Sequence, residues 1–187
     1  KAFHELKMIK SRIDIPVIFM SYYNPIFSMG EDLFLKISRE NNLDGVVIPD
    51  LPIEESAVFI KKARLSDLSC ISFVAPTTNP ARMRKINRLS SGFIYYLSIS
   101  GVTGTRNKLS GNLSAKINQA KNYFKKPLCV GFGISNSEQV RQIKKYADGV
   151  IIGSAIVSII EKNLKFKNKA VLKIAKFAQN IRSALDE

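Results

Sequence analysis

Short runs of Val, Ile and Phe alternate along the chain with stretches whose apolar residues recur at helical spacing, a pattern that predicts repeated strand and helix. The first apolar run is Pro16 to Met20, followed by the loop SYYNPIFSMG and a helix over about 31–40. The second is Gly45 to Pro49, then DLPIEE and a helix through Lys62. The third runs from Ser69 to Pro76 with a helix over about 80–89, where Asn79 before Pro80 reads as an N-cap with proline at the first helical position. Gly92 to Ser98 is the fourth, trailed by the loop ISGVTGTRNKLSG and a helix over about 113–124. The fifth is Pro127 to Gly133, with Ser135 or Asn136 capping a helix through Tyr146. The sixth, Asp148 to Gly153, leads into a short apolar helix from Ala155 to Ile160 and a last helix over about 169–185.

Continuously apolar strands separated by amphipathic helices point to a parallel sheet covered on both faces, which is either a doubly wound sheet or a (β/α)8 barrel. The last two units favour the barrel. Barrels commonly build a phosphate site from the loops after strands seven and eight and the N-terminus of a short extra helix. GFGIS after the fifth run and GSAIV after the sixth supply these parts. If those runs are strands seven and eight, residues 1–187 form a single TIM-barrel domain holding about six of eight βα units, with the first two units missing before Lys1.

Composition narrows the class further. The chain is 45% hydrophobic and 24% charged with mean hydropathy −0.01, values of a globular protein. No apolar run approaches the roughly 18–20 residues of a membrane helix, and the N-terminus lacks a signal-peptide pattern. Cys70 and Cys129 lie far apart in apolar runs, which reads as buried free thiols rather than a metal site. The net charge of +14 is regional: residues 1–65 carry nine basic and nine acidic side chains, 66–160 carry thirteen and three, and 161–187 carry seven and three. The excess falls beside three separate helical stripes, so it reads as solvated outer faces rather than a nucleic-acid surface. Lys, Ile and Asn together number 56, a bias of AT-rich coding sequence and a sufficient source of the lysine.

Candidate chemistry centres on Gly153 and Ser154. A glycine at a strand-to-helix junction lets backbone approach an anion, the first helical N–H groups point at it, and a hydroxyl can donate once more; a plain N-cap is the alternative. Gly131 and Gly133 flank Phe132 one unit earlier, so two adjacent loops would converge on one phosphate. The loop from Ser100 to Arg106 is glycine-hinged and rich in hydroxyls, which suits a lid or a simple flexible connection. Tyr95 and Tyr96 are adjacent on a strand, so one faces the barrel interior and the other the helices; lining an apolar pocket and core packing are equal alternatives for them. Acid–base candidates are scarce. His4 stands near the start of the chain, Asp50 follows a strand, and Glu54 and Glu55 fit the first turn of a helix. No Ser-His-Asp set, metal cluster or P-loop is present, so the residues alone describe a phosphate-binding α/β fold without an identifiable acid or base.

The segments PVIFMSYYNPIF, DGVVIPDLPIEES, FVAPTTNPARMRKI, GFIYYLSISGVTGTR, PLCVGFGISNSEQV and DGVIIGSAIVSIIE closely resemble the tryptophan synthase alpha subunit family, in its order and spacing. The resemblance implies a (β/α)8 barrel that cleaves indole-3-glycerol phosphate to indole and glyceraldehyde 3-phosphate by a retro-aldol reaction. It would do so within an alpha2beta2 tetramer, and the pyridoxal phosphate would belong to the beta subunit, leaving this chain with no cofactor or metal. Carried over by motif, Gly153, Ser154, Gly104 and Gly133 would bind the substrate phosphate. Phe132 and Tyr95 would line the pocket, Thr103 would order the lid, and Met20 and Val47 would add apolar contacts. Tyr22, Asn24, Asp50, Pro52 and Glu54 would face the beta subunit. The family's catalytic glutamate, at the end of its second strand, and an aspartate in the next loop fall in a stretch this sequence does not contain. The expectation is therefore that no catalytic residue lies in this chain and that the 187 residues alone are inactive.

Two alternatives stand beside this reading. Another phosphate-binding TIM barrel would share the terminal phosphate site but carry different loops after the fourth and sixth strands. A non-catalytic binding protein, or one exploiting the +14 charge to hold nucleic acid, would bind more weakly as salt rises. The expected partners are the beta subunit and a small molecule, with neither nucleic acid nor membrane. The expected compartment is a plastid stroma (chloroplast) or a bacterial cytoplasm.

Overall fold

Strand and helix alternate in the order α1 (Ala2–Lys10), β1 (Ile18–Met20), α2 (Tyr23–Met29), α3 (Glu31–Glu40), β2 (Gly45–Val47), α4 (Ala57–Leu65), β3 (Ser69–Val74) and α5 (Pro80–Leu89). The series continues with β4 (Ile94–Leu97), α6 (Gly111–Lys121), β5 (Leu128–Gly131), α7 (Ser137–Ile143), β6 (Gly149–Ile151), α8 (Ser154–Glu161) and α9 (Lys167–Asp186). The computed structural model describes residues 1–98, 111–131 and 133–187. Strand order follows chain order, β1-β2-β3-β4-β5-β6, and the registered pairs are parallel. These are six consecutive βα units of the (β/α)8 type, as the periodicity predicts.

The chain forms two compact units, residues 1–73 with 79–94 and residues 74–78 with 95–187. In the first, α3 turns Phe34, Leu35 and Ser38 inward, half-buries Glu31 and keeps Asp32 outside, and both acids pair with Lys62 of α4. Phe34 meets Phe3 and Phe59 at ring separations of 5.9 and 6.5 Å. Burying each such ring stabilises the unit by roughly 1.5–3 kcal/mol. In the second unit, Ile117, Leu128, Val130, Val140 and Ile143 are buried. The long α9 is fastened to α7 by Arg141 on Glu187 and by Ser137 Oγ donating to the Asn180 carbonyl at 3.2 Å.

One local device recurs at every second strand. Asp44, Ser91 and Asp148 each precede a glycine that opens or nearly opens β2, β4 and β6. Each donates its backbone N–H to a carbonyl of the preceding strand segment, at Val17, Cys70 and Leu128, and its side chain accepts that same residue's N–H at 2.6, 2.8 and 2.9 Å. The two aspartates also hold a lysine at the end of the helix that precedes the partner strand, Lys10 of α1 and Lys121 of α6, each at 2.7 Å. The strand start is thereby closed from both sides, which satisfies backbone groups that the parallel ladder leaves open.

The structure departs from the expected pattern in three places. Residues 23–29, read as loop, form α2: Pro25 sits in the first turn, where a missing N–H costs no intrahelical bond, and the helix start is capped by Asp50, whose Oδ1 accepts from the Tyr23 N–H at 2.8 Å. Glu54 and Glu55 are not in the first turn of a helix; the N–H groups of Glu55 and Ser56 turn back on the Pro52 carbonyl and α4 begins only at Ala57. Ser154 is not an N-cap but the first helical residue, because Gly153 takes the cap position.

Candidate functional site

The corner where β6 meets α8 is open. Gly153 caps α8 with φ −126° and ψ −72°, makes no side-chain cap, and is followed by a first turn without an acidic residue. Gly153 and Ser154 are both exposed, and a Cβ added at Gly153 would meet nothing within 4 Å. The helix dipole and the outermost N–H groups are thus free to face an anion, with the Ser154 hydroxyl beside them.

β5 lies beside this corner, with Val130 paired to Val150 and Gly131 to Ile151 of β6. Gly133 just beyond it has φ +64°, a left-handed conformation that a side chain would strain. Gly131 is needed for a different reason. The Tyr95 ring lies directly over it, and a Cβ there would fall 2.7 Å from the phenolic oxygen and 2.8 Å from Cζ.

The two tyrosines separate as the strand period requires. Tyr96 is 0% exposed between the sheet and its helices, and its hydroxyl has no hydrogen-bond partner. Burial pushes its phenol up to about 12. Tyr95 points to the opposite face of β4, is half-buried, and is raised by burial as well, so it stays a neutral hydroxyl near pH 7. Tyr95, Gly131, Gly133, Gly153 and Ser154 therefore come from three successive strands of the second unit. Phe132, Thr103 and Gly104 lie outside the described residues.

Met20 and Val47 are direct partners at the ends of β1 and β2 in the first unit. They differ in exposure: Met20 is 66% exposed and Val47 6%. Tyr22, Asn24, Asp50, Pro52 and Glu54 are all exposed. The Asp50 bond to the Tyr23 N–H draws the 22–24 and 50–54 segments together into one surface. Sequence reasoning missed this link, and missed that Glu54 pairs with Arg82 of α5 at 3.2 Å. Neither could be read from the chain, because the partners stand 27 and 28 positions apart. Among the described residues no group of His, Cys, Asp and Glu is placed to hold a metal, and no helix is long and apolar enough to cross a membrane. Burial raises both thiols, Cys70 to about 12 and Cys129 to about 11.

Comparison with known proteins gives a consistent result. A family model described as tryptophan synthase alpha chain matches residues 1–186. The chain is 43% identical to the tryptophan synthase alpha chain of Methanocaldococcus jannaschii over 165 residues, covering 88% of this chain and 59% of that one. It is 40% identical to that of Geobacillus thermodenitrificans over 186 residues, covering 96% and 69%. Among solved structures it superposes on a chain of the tryptophan synthase α2β2 complex of Pyrococcus furiosus with TM-score 0.89 at 30% identity, covering 97% of this chain and 73% of that one. The alpha subunit of Legionella pneumophila gives TM-score 0.89 at 32% identity, covering 99% and 68%. The chain thus spans about 59% to 69% of the length of these curated relatives.

Proposed function

Because the chain belongs to the tryptophan synthase alpha chain family, we propose that the protein it represents cleaves indole-3-glycerol phosphate to indole and glyceraldehyde 3-phosphate and acts with a beta subunit in an alpha2beta2 assembly. The observation that carries this reading is the open α8 corner beside Tyr95. An exposed, uncapped helix start follows β6, and one strand away a glycine lets a phenol lie flat against the backbone. A dianionic phosphate suits the first feature, and the aromatic body of the substrate suits the second.

In this reading Gly133, Gly153, Ser154 and Gly104 hold the phosphate, Tyr95 and Phe132 flank the indole-glycerol body, and Thr103 orders the lid. Met20 and Val47 add apolar surface. The 22–24 and 50–54 surface meets the beta subunit, and residues 1–187 act as one barrel domain. Retro-aldol cleavage must protonate the indole ring carbon and deprotonate a glycerol hydroxyl. The family resemblance assigns those groups to residues outside these 187, so the chain by itself binds without turning over. The reading of compartment, plastid stroma or bacterial cytoplasm, rests on composition alone.

The test is calorimetric titration of the chain with indole-3-propanol phosphate, alongside an indole-release assay. Saturable binding without turnover is the expected result, and Ser154→Asp should abolish the binding. Measurable indole release by the 187 residues would refute the assignment of the acid–base groups. Absence of phosphate-dependent binding would refute the site.

A further inference from the structure

Beneath the 50–54 loop, the first unit contains a cavity of about 300 Å³ that the phosphate site does not use. It lies between β2, β3 and the helices α4 and α5. Val46 and Ile48 line it but Val47 between them does not, so it opens on the face of β2 opposite the side chain assigned to substrate. The apolar part of its wall comes from Ile48, Ile53, Phe59, Ile60 and Ile86, which are all buried and all face it. Ser56 and Ser72 add two hydroxyl-bearing residues to the lining, the first of which already donates to the Ile53 carbonyl at 3.2 Å.

A cation also lines this cavity. Arg82 belongs to the first turn of α5, which carries no acidic residue of its own. The anion beside it is borrowed: Glu54 reaches across from the loop to 3.2 Å, with the two side chains 46% and 49% exposed. An ion pair so open to water contributes little to stability, so a competing carboxylate can displace it. Glu54 itself stands outside the lining, and the acidic residue that does line the cavity, Asp50, is already engaged by the Tyr23 N–H.

We propose that this cavity is a binding site for a small apolar monocarboxylic acid, whose hydrocarbon or aryl body fills the space between β2, β3, α4 and α5 while its carboxylate replaces Glu54 on Arg82. At roughly 30 Å³ per water-sized group, the volume takes about ten heavy atoms. The site rests on the first unit alone and stands whether or not the phosphate-site reading holds.

The test uses the 187-residue chain and three probes with the same phenylpropyl body: 3-phenylpropionate, 3-phenylpropanamide and 3-phenylpropylamine. Binding is followed by calorimetry and saturation-transfer NMR, with circular dichroism reporting the fold of each variant. The expected result is saturable binding of the acid with a Kd on the order of 1 mM or tighter, and little binding of the amide or amine. Arg82→Gln should weaken the acid at least tenfold. Glu54→Gln, on an exposed loop that does not decide folding, should tighten it severalfold by freeing the guanidinium. Ser154→Asp should leave it unchanged, and loss of binding there would assign the acid to the phosphate corner and overturn the proposal. Equal binding of the amine, or an affinity indifferent to Glu54→Gln, would overturn it too.

Discussion

Replacing Asp148 tests the strand-start clamp in the unit that carries the candidate phosphate site. In the native chain its Oδ2 accepts the Leu128 N–H at 2.9 Å and its Oδ1 takes the Lys121 ammonium at 2.7 Å. Leu128 is fully buried, so without that acceptor its N–H has no access to water. Asp148→Ala therefore costs about 1–3 kcal/mol for the orphaned donor. The lysine adds at most about 1 kcal/mol, since both partners are substantially exposed and screened. Asp148→Asn keeps an amide oxygen for Leu128 and loses only the ion pair, so it costs about 1 kcal/mol or less.

The assay is urea unfolding by circular dichroism at constant m, with the difference between the two variants isolating the backbone bond. The pH dependence gives a second readout. Burial works to raise the Asp148 carboxyl, but the Leu128 N–H and Lys121 outweigh it and hold the group below its ordinary value. A carboxylate depressed in the folded state adds stability above its unfolded pKa of about 3.9, and that stability is lost as pH falls through the lower folded value. The advantage of wild type over Asp148→Ala should thus shrink below about pH 4. Equal cost for Asn and Ala, or a difference independent of acid pH, would refute the clamp. Asp44, with Val17 and Lys10, should repeat the result in the other unit.

Three further outcomes are expected. Tyr96→Phe removes a buried hydroxyl that has no partner, so urea unfolding should find stability unchanged or raised by up to about 1 kcal/mol. Gly131→Ala forces its new methyl into the Tyr95 ring and should cost about 1–3 kcal/mol; adding Tyr95→Leu should recover part of that loss, and strict additivity in the double-mutant cycle would disprove the contact. Ser154→Asp places an acid in the first turn of α8, which should stabilise the helix by about 0.3–1 kcal/mol while weakening inorganic phosphate at least tenfold by calorimetry; unaltered phosphate affinity would remove the anion from this corner.

Much of the architecture was legible because local chemistry and tertiary demand agree. α3 and α5 begin and end where the period and the Asn79-Pro80 start predict, and Asn79 does accept the Arg82 N–H at 2.8 Å. The six apolar runs are the six strands, since a strand covered on both faces has no polar position to blur its pattern. Of the candidate site, the glycine positions were readable as such: Gly133 is left-handed and Gly153 caps α8, and both conformations restrict residue type locally.

What depended on distance along the chain was not readable. α2 looked like a loop because its residues are poor helix formers in isolation, and its cap comes from Asp50 on another strand's loop. The strand period alone left Tyr95 and Tyr96 undecided, since a period of two separates neighbours without saying which side is which; the family resemblance chose Tyr95, and the sheet shows Tyr96 to be the buried one. The DG and SG clamps, the Glu54–Arg82 pair and the cavity beside Arg82 likewise join residues that only folding brings together. Sequence by itself thus determined where the six strands and most of the helices form, because those follow from nearest-neighbour sterics and burial pattern. Tertiary structure decided which side chains face each other, because long-range pairing is chosen by packing and hydrogen-bond satisfaction across elements rather than by any residue's own preference.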